Sequence, residues 1–218
     1  MRDSRRILVT ALAFLVGGLG LRAHGEDDPS KPSTPSSRAP YRIDAKKSRL
    51  IVETETGGLS TLFGHDHKIE VRDFSGTASF ERSSVGAASL DLTIQANSLF
   101  LLEEKNIGAR QAVESALREE VLETVRYPLI TFKSRSVTSA RRVDGTYDVR
   151  LVGELRLHGV RRQVTVPARV HVDSGRLNAI GILEIRQTDF KITPFSFLNG
   201  TVTIKDTVTI SFDIVAAQ

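Results

Sequence analysis

The chain contains no cysteine and no tryptophan, and methionine occurs only once among its 218 residues. Without cysteine there can be no disulfide, iron–sulfur cluster or thiolate zinc site, so packing alone must stabilise the fold. The sequence also lacks a phosphate-binding glycine loop, and none of its many serines lies in the Gly-x-Ser-x-Gly elbow of hydrolases. The chain therefore carries no recognisable catalytic motif.

Net charge gives no sign of a nucleic-acid partner. The whole chain carries +4, but residues 1–23 alone account for +3, because four arginines outnumber one aspartate there. The remainder is nearly neutral with both signs interspersed, whereas nucleic-acid-binding proteins carry a basic patch. We therefore expect no nucleic acid among the partners.

The N-terminal segment has the three parts of a secretory signal. Three arginines precede an apolar run over 7–21, and small residues follow at Ala23 and Gly25. Because the run is shorter than the ~20 residues of a spanning helix, the sequence predicts a signal peptide over 1–23. An uncleaved N-terminal anchor is the alternative. Either reading predicts a periplasmic or secreted protein.

Composition changes after this segment. Residues 24–40 contain four prolines and four serines, which is typical of a disordered or polyproline-like linker. The folded domain is therefore predicted to occupy residues 41–218.

Two adjacent runs in the second half of the chain show the clearest strand pattern. Between Tyr147 and Leu157 apolar residues alternate with mostly polar ones, and after His158-Gly159 the alternation resumes as far as Val172. A period of two indicates strands with one apolar and one polar face, and the short glycine-containing corner predicts an antiparallel pair. Without a catalytic motif beside it, this pattern favours a protein that encloses an apolar ligand.

The remaining patterns complete an all-β fold with one helix. Further strands are predicted at 48–54, 68–81, 88–97, 129–138, 175–186, 201–204 and 207–215. Helical spacing predicts one helix over about 109–125, which Pro128 ends. About eight strands favour an antiparallel barrel, just wide enough to be filled by side chains or to hold one slender ligand. Small inward residues such as Gly153 and Gly181 either leave space or ease strand curvature.

Short motifs recur in a fixed order along the predicted domain. They are Tyr41-Arg42-Ile43-Asp44, Gly64-His65-Asp66-His67, Phe74-Ser75-Gly76, Tyr127-Pro128-Leu129-Ile130-Thr131-Phe132, Gly153-Glu154-Leu155, His158-Gly159-Val160, Thr188-Asp189-Phe190 and Ile204-Lys205-Asp206-Thr207. In this order and spacing the chain resembles the YceI-like family of periplasmic lipid-binding proteins. One departure is Lys191, which stands where the family usually has a glycine.

The resemblance implies an eight-stranded antiparallel, lipocalin-like barrel with one inserted helix. It also implies an elongated cavity that binds a polyisoprenoid chain, such as an isoprenoid quinone or a related lipid, without catalysis and without a cofactor. We expect the ligand to exchange near a membrane surface. A homodimer stays open as an alternative to a monomer.

The predicted cavity residues combine inward apolar side chains with two histidines near a ligand head group. They are Phe63, His65, His67, Phe74, Phe80, Leu92, Ile94, Phe132, Val149, Leu151, Leu155, Val166 and Phe190. Phenylalanine and leucine suit a methyl-branched hydrocarbon because they bring no polar group that needs a partner. They suit an ordinary core equally well, so both readings stay open for each phenylalanine.

Three other functions compete with lipid binding. His65 and His67 lie two residues apart, which on a strand places both imidazoles on one face, where Asp66 could complete a metal site. The main alternative is therefore a periplasmic metal- or haem-handling protein, although a metal site needs three or four ligands. An enzyme acting on an isoprenoid or quinone lacks a residue set to carry the reaction. A pure interaction module tethered by the linker is the last class.

Overall fold

The computed structural model describes residues 39–57, 66–81, 88–102, 104–197 and 202–218. The predicted signal peptide and the linker up to residue 38 lie outside these ranges, and so do Phe63 and His65.

The described ranges contain twelve β-strands and one α-helix. In chain order they are β1 (Tyr41–Ile43), β2 (Arg49–Gly57), β3 (His67–Val71), β4 (Phe74–Ser79), β5 (Ser89–Gln95), β6 (Leu99–Leu101), α1 (Ile107–Ala116), β7 (Leu129–Arg141), β8 (Tyr147–Leu157), β9 (Val160–Asp173), β10 (Arg176–Arg186), β11 (Ser196–Phe197) and β12 (Val202–Ala217). A π-helical turn at Leu117–Val121 follows α1, and 3₁₀ turns occupy Ala96–Ser98 and Gln187–Phe190.

These strands combine into a closed antiparallel barrel. β1 and β2 lie end to end along one side of β12, β3 and β4 lie end to end beside them, and β5 and β6 form the next pair. Each pair acts as one bent strand, so with β7, β8, β9, β10 and β12 the described residues form eight long strands. Neighbours in the ring are neighbours in the chain, and β12 closes the ring against β1 and β2. The predicted all-β, eight-stranded antiparallel barrel with a single helix is confirmed.

The long strand predicted over 68–81 is two strands, β3 and β4, with a bend between them. The adjacent strand bends at the same level, between β5 and β6. Across the bend the Arg72 N–H donates to the Ser98 carbonyl at 3.2 Å, and the Gln95 N–H donates to the Asp73 carbonyl at 3.0 Å. Because backbone hydrogen bonding continues through the bend, the two strands turn together and the barrel wall curves without losing its pairing.

The helix differs from its predicted bounds at both ends. It begins at Ile107 because the side chain of Asn106 caps it, accepting a hydrogen bond from the N–H three residues later at 3.0 Å. The helical segment ends before Glu123, whose φ of 45° lies in the left-handed region. Val125 is therefore fully exposed instead of packing on the barrel. Among the helices of the described ranges, none is long and apolar enough to cross a membrane.

One acidic side chain anchors the helix to the barrel. The Leu101 N–H, on the short edge strand β6, donates to Glu114 Oε1 at 3.0 Å, and Arg118 Nη1 lies 3.7 Å from Glu114 Oε2. Helical spacing alone places Glu114 on the charged, solvent-facing side. The structure turns it toward the barrel because an edge N–H without a strand partner needs an acceptor.

Two glycines in the barrel wall are covered by phenylalanine rings. A Cβ at Gly153 would lie 2.6 Å from the Phe132 ring, and a Cβ at Gly181 would overlap the Phe212 ring and the Pro167 carbonyl oxygen. These glycines therefore permit close approach of a ring and a neighbouring strand rather than leaving empty space. Of the two roles that the sequence left open for small inward residues, the structure supports close packing and curvature at these positions.

Replacing Gly181 with alanine is expected to lower the free energy of unfolding by about 1–3 kcal/mol, the usual cost of overpacking. The added methyl group would meet the Pro167 carbonyl oxygen, which cannot rotate away as a side chain can. Gly57→Ala is the matched control, because a Cβ there meets its nearest atom at 3.4 Å. Urea denaturation measures both variants, and equal losses would contradict this packing.

Buried apolar side chains form two groups at opposite ends of the barrel. The group at the end closed by the helix, called the helix end, includes Leu101, Leu122, Leu157, Phe190 and Ile192. The group at the opposite end, called the tyrosine end, includes Tyr41, Phe80, Val137, Tyr147 and Leu177. At the tyrosine end the rings of Phe80 and Tyr147 meet edge to face, with centroids 5.0 Å apart.

Candidate functional site: a narrow apolar cavity

A cavity of about 270 Å³ runs through the barrel, and members of both core groups contribute to its lining. Every strand of the barrel ring contributes to its lining, and on β10 the lining extends from Leu177 to Ile185. Eight steps along a strand span about 26 Å, or about 20 Å along the barrel axis once strand tilt is allowed for. Ligand pockets usually have volumes of about 300–1,000 Å³. A volume below that range spread over this length makes the cavity narrow, so its shape suits a slender chain.

The lining is apolar along its length and polar only near its ends. Among the lining residues that the structure describes, the polar side chains are Thr54 and Gln187 toward the helix end and Ser79 and Ser89 toward the tyrosine end. The other lining side chains are hydrocarbon, and no charged side chain is among them. Such a lining can remove a hydrocarbon chain from water but offers its middle no hydrogen-bonding partner.

Several inward side chains keep accessible surface although they face the barrel interior. Leu92, Ile94, Leu151 and Val166 are only partly buried, and each lies between neighbours that point to the outer face of the same strand. Close-packed cores leave few voids larger than a water molecule. The barrel interior is therefore not filled by its own side chains.

Gln187 is the most enclosed polar residue of the lining, at 8% exposure. Its Nε2 donates to the Lys205 carbonyl oxygen at 2.9 Å. That bond fixes the orientation of the amide, because only the nitrogen can donate to a carbonyl, and it leaves Oε1 as an acceptor. Gln187 was not among the predicted cavity residues, since a single glutamine at the end of a strand produces no pattern in the sequence.

Eight of the predicted cavity residues line the cavity. They are Phe80, Leu92, Ile94, Phe132, Val149, Leu151, Leu155 and Val166. Phe74 and Phe190 instead lie in the core group of the helix end, at 4% and 2% exposure. Phe63 and His65 lie outside the described residues. Contact between any of these residues and a ligand stays a prediction.

The described residues supply no complete set of ligands for the metal site predicted at His65 and His67. His67 lies on β3, is half buried and does not line the cavity. Asp66 accepts a hydrogen bond from the Thr56 N–H at 3.0 Å, so its carboxylate is the acceptor for a backbone donor of β2. In the part of the chain that the structure describes, there is no group of three or more histidine, cysteine, aspartate or glutamate residues able to hold a metal ion.

The helix end of the cavity is closed by the turn that follows α1. Leu117, Val121 and Leu122 contribute to the lining there. The helical spacing of these apolar residues in the sequence predicts that they pack against another surface, without identifying that surface. The barrel supplies that surface, because α1 is inserted between β6 and β7 and returns the chain across the open end.

A cluster around His158 fastens this closure. His158 Nε2 lies 3.1 Å from Glu123 Oε1, and His158 Nδ1 lies 3.3 Å from the Phe190 carbonyl oxygen. Both partners are acceptors, so a neutral imidazole donates to one of them and a protonated imidazole to both. Three residues of this cluster have positive φ, namely Glu123 (45°), His158 (49°) and Lys191 (59°). Lys191 thus adopts the conformation that a glycine, usual at this position in the resembling family, adopts without strain.

Replacing His158 with alanine is expected to lower the free energy of unfolding by about 2 kcal/mol, from the loss of a part-buried hydrogen bond and of the ring contact with Tyr127. The side chain is only 10% exposed and also packs edge-on against Tyr127, with ring centroids 4.5 Å apart. The exposed His171 provides the control, and His171→Ala should change stability by less than about 0.5 kcal/mol. Urea denaturation measures the free energy of unfolding of both variants. Equal losses for His158→Ala and His171→Ala would contradict the role of His158 in holding the closure.

Comparison with known proteins gives a consistent family match. A model of the YceI-like domain matches residues 41–216. Protein YceI of Escherichia coli O17:K52:H18 is 30% identical over 134 residues, which cover 61% of this chain and 62% of that protein. A UPF0312 protein of Shewanella denitrificans is 27% identical over 169 residues, covering 73% of this chain and 80% of that protein. The match thus spans about three fifths of the length of the Escherichia coli protein.

Solved structures share the fold at low sequence identity. BcnA of Burkholderia cenocepacia superimposes with a TM-score of 0.64 at 20% identity, covering 80% of this chain and 99% of that chain. A polyisoprenoid binding domain from Saccharophagus degradans superimposes with a TM-score of 0.55 at 17% identity, covering 81% of this chain and 97% of that chain.

Proposed function

The chain belongs to the YceI-like domain family, and on that premise we propose that its barrel binds an isoprenoid lipid with the hydrocarbon chain inside the cavity. The observation that carries the proposal is the unfilled apolar cavity, which is narrow, extended and polar only near its ends. The polyisoprenoid binding domain from Saccharophagus degradans, which shares the fold, supports the same ligand class.

Burial of the chain supplies the binding free energy. At about 25 cal/mol per Å² of apolar area, a few hundred Å² of hydrocarbon contributes several kcal/mol before the cost of ordering the ligand. The aliphatic side chains of the middle section can pack against methyl branches without losing hydrogen bonds. Polar groups are needed only where the chain ends, which is where Thr54, Gln187, Ser79 and Ser89 lie.

The finer proposals concern the ligand type and the setting. An isoprenoid quinone or a polyisoprenoid alcohol combines a methyl-branched chain with a small polar head group, and the protein sequesters or carries it without chemical change. The signal peptide predicted over 1–23 supports a periplasmic or secreted setting, where lipid exchange occurs at a membrane surface.

A series of isoprenols tests this function. Geraniol, farnesol and geranylgeraniol are titrated into lipid-free protein against a fluorescent dye that reports apolar sites, and the absence of tryptophan keeps the background low. Affinity is expected to rise along the series, because each further buried CH₂ group adds about 0.8 kcal/mol. Equal affinity for all three, or no displacement by geranylgeraniol, would refute lipid binding in this cavity.

A further inference from the structure

The barrel wall is incompletely paired between β9 and β10. The ladder covers only Asp173–Arg169 against Arg176–Ile180. Each strand then continues beyond the paired half, β9 back to Val160 and β10 on to Arg186. On their other sides the two strands are paired over a longer stretch. The β8–β9 and β10–β12 ladders each have eleven matched pairs, whereas the β9–β10 ladder has five. The described part of β9–β10 therefore holds an open seam, defined as Arg162–Val166 facing Leu183–Arg186.

The sequence explains where the pairing stops. Pro167, near the last matched pair Arg169–Ile180, has no N–H to donate to the ladder. Gly181, one position beyond this pair on β10, has no side chain, so the Pro167 carbonyl oxygen can approach the β10 backbone closely. Pro167 and Gly181 thus bring the two strands close together at the point where the regular hydrogen bonding ends. Beyond it, toward the helix end, the strands separate.

A recess of about 450 Å³ lies in the barrel wall at the open seam, lined by residues 162–164 and 184–186 and by Asp189. Gln163, Glu184 and Arg186 belong to the outer face of the strands, whereas Val164 and Ile185 belong to the inner face and also line the apolar cavity. The recess and the apolar cavity therefore lie on the two sides of Val164 and Ile185.

We propose that the open seam is a lateral portal, through which the isoprenoid chain enters the barrel and at which an uncharged polar head group stays. This inference rests on the proposed function. Buried side chains of the two core groups pack near the ends of the barrel, whereas the seam offers a chain a side route past Val164 and Ile185 toward the cavity.

The portal has no excess of positive charge that would hold a phosphorylated head group. The two guanidinium groups are already engaged, since Arg162 Nε donates to the Asp189 carbonyl oxygen at 3.0 Å and Arg186 Nε donates to Asp206 Oδ2 at 3.0 Å. Glu184 and Asp189 add two carboxylates to the lining, so its charged side chains balance, two positive against two negative. The hydrogen bond from Arg186 also raises the pKa of that guanidinium, which keeps it charged and paired. A hydroxyl or quinone carbonyl accepts hydrogen bonds here without adding charge.

The outer surface beside the portal is apolar. Ile180 and Ile182 point outward from β10 at 43% and 59% exposure, on either side of Gly181. Isolated exposed aliphatic residues are common, but these two lie where the seam begins to open. They give the tail of an incoming lipid an apolar surface to contact before it enters.

A removable cross-link tests the portal. Thr165 and Glu184 are exposed and would lie opposite each other if the β9–β10 register continued, so Thr165→Cys/Glu184→Cys places two thiols across the seam. The chain has no other cysteine. A short bifunctional thiosulfonate reagent bridges the thiols, and reductant removes it. Bridging is expected to slow the loading of geranylgeraniol from phosphatidylcholine vesicles at least tenfold, and reductant should restore the rate.

A matched pair in the closed half of the same seam provides the control. His171 and Asn178 are paired across β9 and β10, and bridging His171→Cys/Asn178→Cys should leave the loading rate unchanged. Equal loading rates with and without the bridge at the open seam would overturn the portal. If the unbridged protein does not bind geranylgeraniol at all, the proposed function itself fails, and the two outcomes are therefore distinct.

Head-group preference is read in the same assay. Geranylgeranyl diphosphate is expected to bind at least tenfold more weakly than geranylgeraniol at low ionic strength. The double variant Glu184→Gln/Asp189→Asn removes two negative charges from the portal. It should therefore reduce the difference in affinity between geranylgeraniol and geranylgeranyl diphosphate. Equal or tighter binding of the diphosphate by the unaltered protein would overturn the assignment of an uncharged head group.

Discussion

Replacing Val166 with phenylalanine is expected to weaken geranylgeraniol binding at least tenfold, about 1.4 kcal/mol of binding free energy or more, while the protein stays folded. Val166 lies in the middle of β9, lines the cavity and is paired with Leu151, which also lines it. Because the cavity is narrow, an added ring occupies the path of the chain. Filling an apolar void does not cost stability in the way that overpacking does, so the unfolding midpoint in urea should hold or rise.

An outward valine on the adjacent strand supplies the control for this variant. Val152 lies on the outer face of β8, next to Leu151, so Val152→Phe makes the same substitution on the outside of the barrel wall. Its affinity for geranylgeraniol should match that of the unaltered protein. The cavity assignment is contradicted if the inward and outward variants bind alike, or if Val166→Phe unfolds the barrel.

Replacing Phe132 with alanine is expected to lower the free energy of unfolding by about 3–5 kcal/mol, the largest stability effect in the barrel wall. The Phe132 ring is buried and covers Gly153 so closely that a Cβ there would lie 2.6 Å from it. After truncation, glycine brings no side chain to refill the space. The ring also lines the cavity, so the void adds directly to the ligand chamber.

Phe100 allows the same truncation outside the cavity. Its ring lies between two guanidinium groups, with Arg72 Cζ 3.3 Å and Arg110 Cζ 5.0 Å from its centroid. Phe100→Ala should cost about 1 kcal/mol, the value of a partly exposed cation–π contact. Urea denaturation of lipid-free protein compares the two, and a loss for Phe132→Ala no larger than that for Phe100→Ala would contradict the wall packing.

The barrel was predictable from the sequence because each long strand keeps one apolar and one polar face. The alternation from Tyr147 to Leu157 assigns inward and outward positions correctly, and Val149, Leu151 and Leu155 all line the cavity. Period two is a property of the strand itself. The alternation is therefore the same whether the strand packs against a core or lines a cavity.

The boundary between core and cavity was not predictable in the same way. Phe74 and Ile94 are directly paired, yet Ile94 lines the cavity and Phe74 lies in the core. The difference arises because the chain bends beside Phe74 and the helix closes that end. Closure depends on contacts between distant segments, and no local spacing in the sequence encodes it.

The open seam is the clearest case of information that only the structure provides. Residues from Val160 to Val172 read as one continuous strand, and β9 is one strand. Its pairing nevertheless ends near Pro167, since the partner must follow β12 toward the helix end. Pro167 and Gly181 are visible in the sequence as residues that weaken a strand interior, but only the structure shows how closely they approach each other across the two strands.

An electron-density map of the protein purified without added lipid tests the central claim most directly. Lipid binding in the cavity predicts continuous, elongated density extending from the portal at Val164 and Ile185 past Leu151 and Val166 toward Phe80. Mass spectrometry of the extracted material should then identify an isoprenoid chain with an uncharged head group. A barrel interior closed by its own side chains, with no density between Leu151 and Val166 and no lipid in the extract, would contradict it.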